Sequence, residues 1–271
     1  MGADTKQLRI RIKSVDSSLH LTKAMGLVAS SKIRRANEEM DKTKQYLGAL
    51  ESMVKELSLA PECRRSPYLR TSETPEDSPR TKLIVIAGDR GLAGGYNANV
   101  FKLLRDYGSC EIIPLGRRIC DRTESEFVSS ESFSYKDAKE LTRTLCEGFI
   151  KEEYDRLGII CTRYVNMMTQ IAEIRWILPL TRDEGVKRTG MIFEPDELTV
   201  LTHAVPEYVT GAITEAVRES FASEVAARRM AMDSAEKNAQ AMIDDLALQY
   251  NRARQSAITQ EITEIVAGSG R

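Results

Sequence analysis

The 271-residue sequence contains few aromatic residues, few histidines and no closely spaced cysteine pair. Aromatic residues make up 6% of the chain, with one tryptophan, and there are two histidines. The five cysteines include no CxxC pair, which predicts reduced thiols and argues against a disulfide framework or a zinc site. Neither histidine lies near a cysteine or a pair of carboxylates in the sequence, so no catalytic residue, metal site or cofactor is predicted.

The sequence also lacks a charge excess and a long hydrophobic run. Lys and Arg total 39 against 40 Asp and Glu, which leaves a net charge of -1 instead of the basic excess that is typical of a nucleic-acid binder. No stretch approaches the roughly 20 apolar residues of a membrane span. The N-terminus has the composition of neither a secretory signal nor an organelle-targeting segment. We therefore expect a soluble intracellular protein without nucleic-acid binding or membrane insertion.

The first 58 residues carry a heptad pattern. Alternating steps of three and four residues select fourteen positions, of which eleven are apolar: Ile12, Val15, Leu19, Thr22, Gly26, Ala29, Ile33, Ala36, Met40, Thr43, Leu47, Leu50, Val54 and Leu57. A period of 3.5 residues that persists this long is typical of a coiled coil. The corresponding helix would be about 69 Å long, so it needs a partner helix.

The C-terminal region supplies the candidate partner. Residues 208–266 contain no proline, and apolar residues recur at strict sevens: Val225, Met232, Ala239, Leu246 and Ala253. A weaker companion row follows Arg228, Ala235, Met242 and Gln249, and the stripe then drifts to Ile258, Ile262 and Ile265. The two terminal helices are therefore predicted to wind together as an antiparallel coiled coil. The alternative is that each helix packs separately on the middle of the chain.

The middle of the chain alternates strands with helices. Strands are predicted at 82–87, 111–115, 156–161 and 170–178, the last at a sheet edge, with helices at 97–107 and 136–153. The predicted fold class is therefore an α/β globular domain plus a long antiparallel α-helical coiled coil formed by the N- and C-terminal helices. We divide the chain into a helix at 1–58, a proline-rich linker at 59–81, a Rossmann-like domain at 82–205 and a helix at 206–271.

A glycine-rich loop between the first strand and the next helix could cradle a phosphate. The segment Gly88–Asn97 lacks the Lys-Ser/Thr of a P-loop, however, and its glycines do not have the spacing of the dinucleotide fingerprint. We favour a structural turn in which Gly91, Gly94 and Gly95 allow close backbone packing. A nucleotide-binding site remains the alternative interpretation of this loop.

Four motifs resemble the γ subunit of bacterial-type F-type ATP synthases. They are Thr22–Met25 together with Lys32–Ala36, the loop Asp89–Asn97, the triplet Phe193–Pro195, and the segment Leu248–Val266. The family usually has cysteine at the position of Ala93. The motifs occur in the family's order and span both ends and the middle of the chain.

The resemblance implies a rotor subunit without an active site of its own. In this family the terminal helices form a shaft inside a ring of three α and three β subunits, and the α/β domain rests with the ε subunit on the membrane c-ring. Proton-driven rotation of the c-ring then drives the catalytic β subunits to make ATP. The matched residues expected to contact the α/β ring are Lys23, Met25, Arg254, Gln255, Thr259 and Glu261.

The implied location is peripheral, on the cytoplasmic face of the bacterial inner membrane. Two other functions remain open from the residues alone. One is a coiled-coil scaffold protein with an α/β docking domain, and the other is an α/β nucleotide-binding enzyme.

Overall fold

The computed structural model describes residues 2–70, 79–182 and 191–269. The chain divides into two compact units. One unit comprises Met1–Ser30 with Arg228–Arg271, and the other comprises Ser31–Ala227. The predicted division at residues 58, 81 and 205 stays a prediction. Part of the predicted linker, residues 71–78, lies outside the described residues.

Two long helices enclose an α/β arrangement in sequence. The elements are α1 (Gly2–Ser58), two short 3-10 turns (Glu62–Arg65 and Pro67–Leu69), β1 (Thr81–Ile86), α2 (Tyr96–Tyr107), β2 (Glu111–Leu115), α3 (Arg117–Thr123), α4 (Tyr135–Ile150), β3 (Arg156–Tyr164), β4 (Gln170–Leu178) and α5 (Glu197–Ser269). This order confirms the predicted combination of an α/β domain with long N- and C-terminal helices.

The four strands form one mixed sheet with the order β2–β1–β3–β4. Strand β1 pairs in parallel with β2 and β3, while β4 pairs antiparallel with β3 at the edge, as the alternation in its sequence predicts. The β1–β3 pairing runs from Thr81↔Arg156 to Val85↔Ile160. Because β3 continues to Tyr164, its last residues extend past the paired part of β1.

Both faces of the sheet are covered, which explains the continuous apolar runs of β1 and β3. On one face Ile84, Ile159 and neighbouring residues pack against α4, α5 and the end of α1. On the other face Leu83, Val85 and Ile160 pack against α2 and α3. Each fully buried side chain of this size contributes roughly 1.5–3 kcal/mol to stability, so the sheet anchors the second unit.

The heptad pattern of α1 is confirmed, because all fourteen predicted seam positions are buried or half-buried. Helix α5 runs antiparallel to α1 in each unit. In the first unit Lys23 pairs with Glu236. In the second, Glu39 pairs with Arg218, while Leu47 approaches Gly211.

The α5 pattern needs two corrections. Met242 and Gln249 of the predicted companion row are exposed, and Ile243 and Tyr250 are half-buried instead, because the stripe moves by one residue along the helix. Helix α5 also begins at Glu197, before the predicted start at residue 206, and it includes Pro206. Asp196 caps this start by accepting hydrogen bonds from the backbone N–H and the hydroxyl of Thr199.

Candidate functional site

Lys23 and Met25 lie where the two helices of the first unit approach closely. Nζ of Lys23 is 3.7 Å from Oε1 of Glu236, and Met25 is half-buried. Gly26 is buried beside them, and a Cβ atom at this position would lie 3.5 Å from Cβ of Met232. The same Cβ would lie 2.8 Å from Nη1 of Arg229, so a side chain at this position would displace the Arg229 guanidinium.

Large apolar side chains surround this pair on the surface of α1. Leu21, Leu27 and Val28 are 62%, 69% and 55% exposed. Leu21, Met25 and Val28 are spaced by four and three residues, so they share one face of the helix. A contiguous apolar surface of this kind is characteristic of a protein–protein contact.

The other four predicted contact residues are exposed on the last turns of α5. All side chains from Ile258 to Gly268 are exposed. At 100° per residue, the predicted contact residues share one half of the helix with the large apolar residues of this segment: Arg254, Gln255, Thr259 and Glu261 with Ile258, Ile262, Ile265 and Val266. The other half carries the polar side chains of Ser256, Gln260, Thr263 and Glu264. This end of α5 is amphipathic, and its apolar face is not buried within the described chain.

The two predicted contact regions are separate. Lys23 lies level with Glu236, which precedes Arg254 by 18 residues along α5. At 1.5 Å per residue this separation is about 27 Å. The two predicted contact regions therefore lie at separate positions along the first unit rather than in a single cluster.

The glycine-rich loop is held by side-chain hydrogen bonds to distant segments. The Asp89 carboxylate accepts hydrogen bonds from the Ser129 hydroxyl (2.6 Å) and from the backbone N–H groups of Arg117, Ser130 and Glu131 (3.1 Å each). Burial alone would raise the pKa of Asp89, but these hydrogen bonds outweigh it and lower the pKa below its ordinary value.

The predicted turn glycines differ in their requirements. Gly94 has a positive φ of 57°, which favours glycine. A Cβ at Gly91 would lie 2.5 Å from Nη2 of Arg118, so a larger residue here would require the Arg118 guanidinium to move. Gly95 directly precedes α2. The Gly88 N–H donates to Oδ1 of Asn97 at 2.9 Å, and this internal hydrogen bond favours the structural interpretation of the turn.

Helix α5 completes the free edge of β3 with its side chains. Beyond the last residue paired with β1, the Thr162 N–H donates to Oγ of Ser220 (3.0 Å), and the Ser223 hydroxyl donates to the Thr162 carbonyl (3.0 Å). The Tyr164 N–H donates to Oε1 of Glu219 at 3.2 Å. These polar side chains are buried, and they supply the hydrogen-bond partners that continued backbone pairing with β1 would have given to β3.

A buried ionic cluster lies beside this edge. Arg175 on β4 donates from Nη1 to Glu215 (2.6 Å), from Nη2 to Glu219, and from Nε to Glu173 (2.8 Å). Glu215 and Glu219 are 3% and 1% exposed. Burial raises the pKa of Glu215 despite the opposing effect of Arg175. Sequence inspection missed this cluster because glutamates on a helix are usually solvated.

The carboxyl end of β1 is also covered by α5. In α/β proteins this edge of the sheet is the usual ligand crevice. Here a Cβ at Gly88 would lie 2.7 Å from Cδ of Glu224, a glutamate that is 3% exposed. Helix α5 therefore occupies the space next to the loop in which a nucleotide phosphate would sit.

The part of the chain that the structure describes shows no cluster of three or more His, Cys, Asp or Glu able to hold a metal ion. Over the same residues, no helix combines the length and the hydropathy required to cross a bilayer. All five cysteines are free thiols, and Cys110 alone among them is not buried.

Comparisons with known proteins identify the family. Residues 4–270 match the family described as ATP synthase. The ATP synthase gamma chain of Alkaliphilus metalliredigens is 37% identical over 289 residues, with 99% of each chain covered. The sodium ion specific ATP synthase gamma chain of Acetobacterium woodii is 35% identical over 302 residues, again with 99% of each chain covered.

Solved structures agree with these relatives on the fold. A chain in the mitochondrial ATP synthase of Euglena gracilis, in an assembly of OSCP, F1 and c-ring, superimposes with a TM-score of 0.68 at 18% identity. The match covers 99% of this chain and 94% of that one. The resemblance carried by the four sequence motifs is confirmed. The chain therefore belongs to the family of ATP synthase gamma chains, the central-stalk rotor subunits of F-type ATP synthases.

Proposed function

We propose that the antiparallel coiled coil of this chain turns inside a ring of three α and three β subunits and couples c-ring rotation to the conformations of the catalytic sites. The observation that carries this proposal is the amphipathic end of α5, whose apolar half is exposed together with Arg254, Gln255, Thr259 and Glu261. One asymmetric helix inside a pseudo-threefold ring contacts three β subunits differently, and so shifts their conformational populations in turn.

The assembly that this function requires has one copy of the chain for every three α and three β subunits. The ε subunit and the c-ring would contact the α/β domain, and the complex would lie at the cytoplasmic face of the bacterial inner membrane. We propose protons as the driving ion. One of the similar relatives is sodium ion specific, so the ion must be tested directly by measuring ATP synthesis in vesicles with a proton or a sodium gradient.

The contact role of the α5 end is tested by Arg254→Ala combined with Gln255→Ala. Loss of two side-chain hydrogen-bonding groups, each contributing about 1 kcal/mol, is expected to lower the ATPase turnover of the reconstituted α–β–γ complex about thirtyfold. The matched control, Ser256→Ala with Gln260→Ala, changes polar residues on the other half of the same helix. Equal turnover in the two double variants would contradict the assigned contacts.

The alternative functions predict different results in the same preparations. A coiled-coil scaffold would not alter ATPase turnover when Arg254 and Gln255 are changed. A nucleotide-binding enzyme would bind ATP or NAD stoichiometrically as an isolated chain. We expect no such binding in equilibrium dialysis, because the turn of Gly91, Gly94 and Gly95 is structural.

A further inference from the structure

We propose that the buried polar contacts between α5 and the β3–β4 hairpin form the joint that passes torque between the sheet and the shaft helix. We call them the sheet–shaft joint: Arg175 with Glu215 and Glu219, and Thr162 with Ser220 and Ser223. The inference rests on the rotor function proposed above and extends it to positioning residues that lie far from the α/β contacts.

Torque that acts on the sheet must enter α5 through lateral contacts. Helix α5 is continuous from Glu197 to Ser269, so a twist that enters near residue 220 is carried onward by the helix itself. Apolar packing is not directional, and offers less resistance to sliding and rotation than contacts with a fixed geometry. Hydrogen bonds and hydrogen-bonded ion pairs have defined distances and angles, and therefore resist rotation of the helix about its axis.

The joint holds one side of α5 at several points. At 100° per residue, Glu215, Glu219, Ser220 and Ser223 span about 140° of the helix surface. They contact two strands: the serines hold the backbone of β3 on both its N–H and its carbonyl side, and the glutamates hold the guanidinium of Arg175 on β4. A rotation of α5 in either direction must stretch some of these contacts.

Stability alone does not account for these charges. The adjacent turns of α5 already bury Val209, Ile213, Ala216 and Val217 in the core. Burying an ion pair costs desolvation, and well-packed apolar residues in its place are often equally stable or more stable. A buried ionic cluster at an otherwise apolar interface is thus better explained by the fixed geometry that it supplies.

Helix α5 makes other polar contacts in the second unit, and those of Glu207 are more exposed to water. Glu207 accepts hydrogen bonds from Tyr135 and Lys139 at the surface, and Arg218 donates to the Phe133 carbonyl from a partly buried position. Exposed ion pairs are weak because water competes for both partners. In the sheet–shaft joint, by contrast, the glutamates and serines of α5 are all at most 3% exposed, so little water competes for them.

The test replaces the ionic cluster without leaving a buried charge unpaired. The triple variant Arg175→Met, Glu215→Met and Glu219→Gln keeps side-chain length, and Gln retains an acceptor for the Tyr164 N–H. A second variant, Ser220→Ala with Ser223→Ala, removes the contacts to β3. The control is Arg163→Met, because Arg163 lies on β3 and pairs with Glu173 on β4 (2.8 Å) at the edge of the same cluster.

The readout is the angle of the sheet relative to an immobilised α–β ring in the assembled complex. Cys110, the one cysteine that is not buried, accepts a maleimide-linked nanorod. We expect the variance of the rod angle during catalytic dwells to rise about twofold or more in both joint variants, while the unloaded ATPase turnover stays within about twofold of wild type.

Three outcomes would overturn the inference. The first is a variance of the rod angle in the joint variants equal to that of Arg163→Met. The second is an ATPase turnover that falls in proportion to the rise in variance. The third is a rise in variance that occurs only in a variant that also loses assembly with α and β. A wild-type chain whose rod does not rotate with ATP would instead refute the rotor function itself.

Discussion

Substitution of Arg175 by methionine tests the ionic cluster as a contributor to stability. Methionine keeps the length of the side chain but leaves Glu215 and Glu219 buried without their guanidinium partner. Removing one partner of a buried ion pair costs about 3–5 kcal/mol. Because the Arg175 side chain is 26% exposed, we expect a loss near the lower end, about 3 kcal/mol, in the free energy of unfolding at about pH 8.

The pH dependence of this loss identifies its cause. Burial already raises the pKa of Glu215, and Arg175 opposes that effect. Without Arg175 the pKa rises further, so the folded variant takes up protons at a higher pH than the unfolded chain does. Stability of the variant relative to wild type therefore recovers as the pH falls, and the deficit at about pH 5.5 should be smaller than at about pH 8.

Urea unfolding of the full chain at both pH values measures the deficit, with Arg163→Met as control. The ion pair of Arg163 with Glu173 is 47% exposed at the arginine, so its removal should cost about 0–1 kcal/mol. The reasoning is refuted if the two substitutions cost the same, or if the Arg175→Met deficit does not change with pH.

Four further substitutions test other parts of the fold by urea unfolding. Gly26→Val places methyl groups against Met232 and should cost about 2 kcal/mol; no loss would contradict the close helix approach. Gly116→Ala, at φ 102° and with its Cβ overlapping a carbonyl oxygen, should cost at least about 3 kcal/mol, whereas Gly48→Ala, with open space around it, should gain about 0.5–1 kcal/mol. Asp89→Asn should cost about 2 kcal/mol near neutral pH. Because the pKa of Asp89 is lowered, its contribution is lost as the pH falls through the folded-state pKa, and a difference that does not shrink on acidification would refute this assignment.

The fold was largely predictable because its elements follow local patterns. The 3.5-residue period located every seam position of α1, and continuous apolar runs located β1 and β3. Helix α5 begins nine residues before the predicted start at residue 206 and includes Pro206. The cap that Asp196 makes with Thr199 is the local signal that marks the true start.

The polar connection between α5 and the sheet could not be read from periodicity. Glu219 and Ser220 appear as ordinary polar residues of a long helix, and only the pairing of β3 past the end of β1 creates the edge that they satisfy. This contact joins residues about 55–60 positions apart in the chain. The partner-contact residues are a different case, because family motifs located them and the structure shows only that they are accessible.

Native mass determination after co-expression with α and β subunits tests the central claim most directly. The rotor function predicts one copy of this chain for every three α and three β subunits, with ATPase activity that depends on its presence. A monomer or homodimer that ignores both subunits would contradict the rotor function and would favour the coiled-coil scaffold.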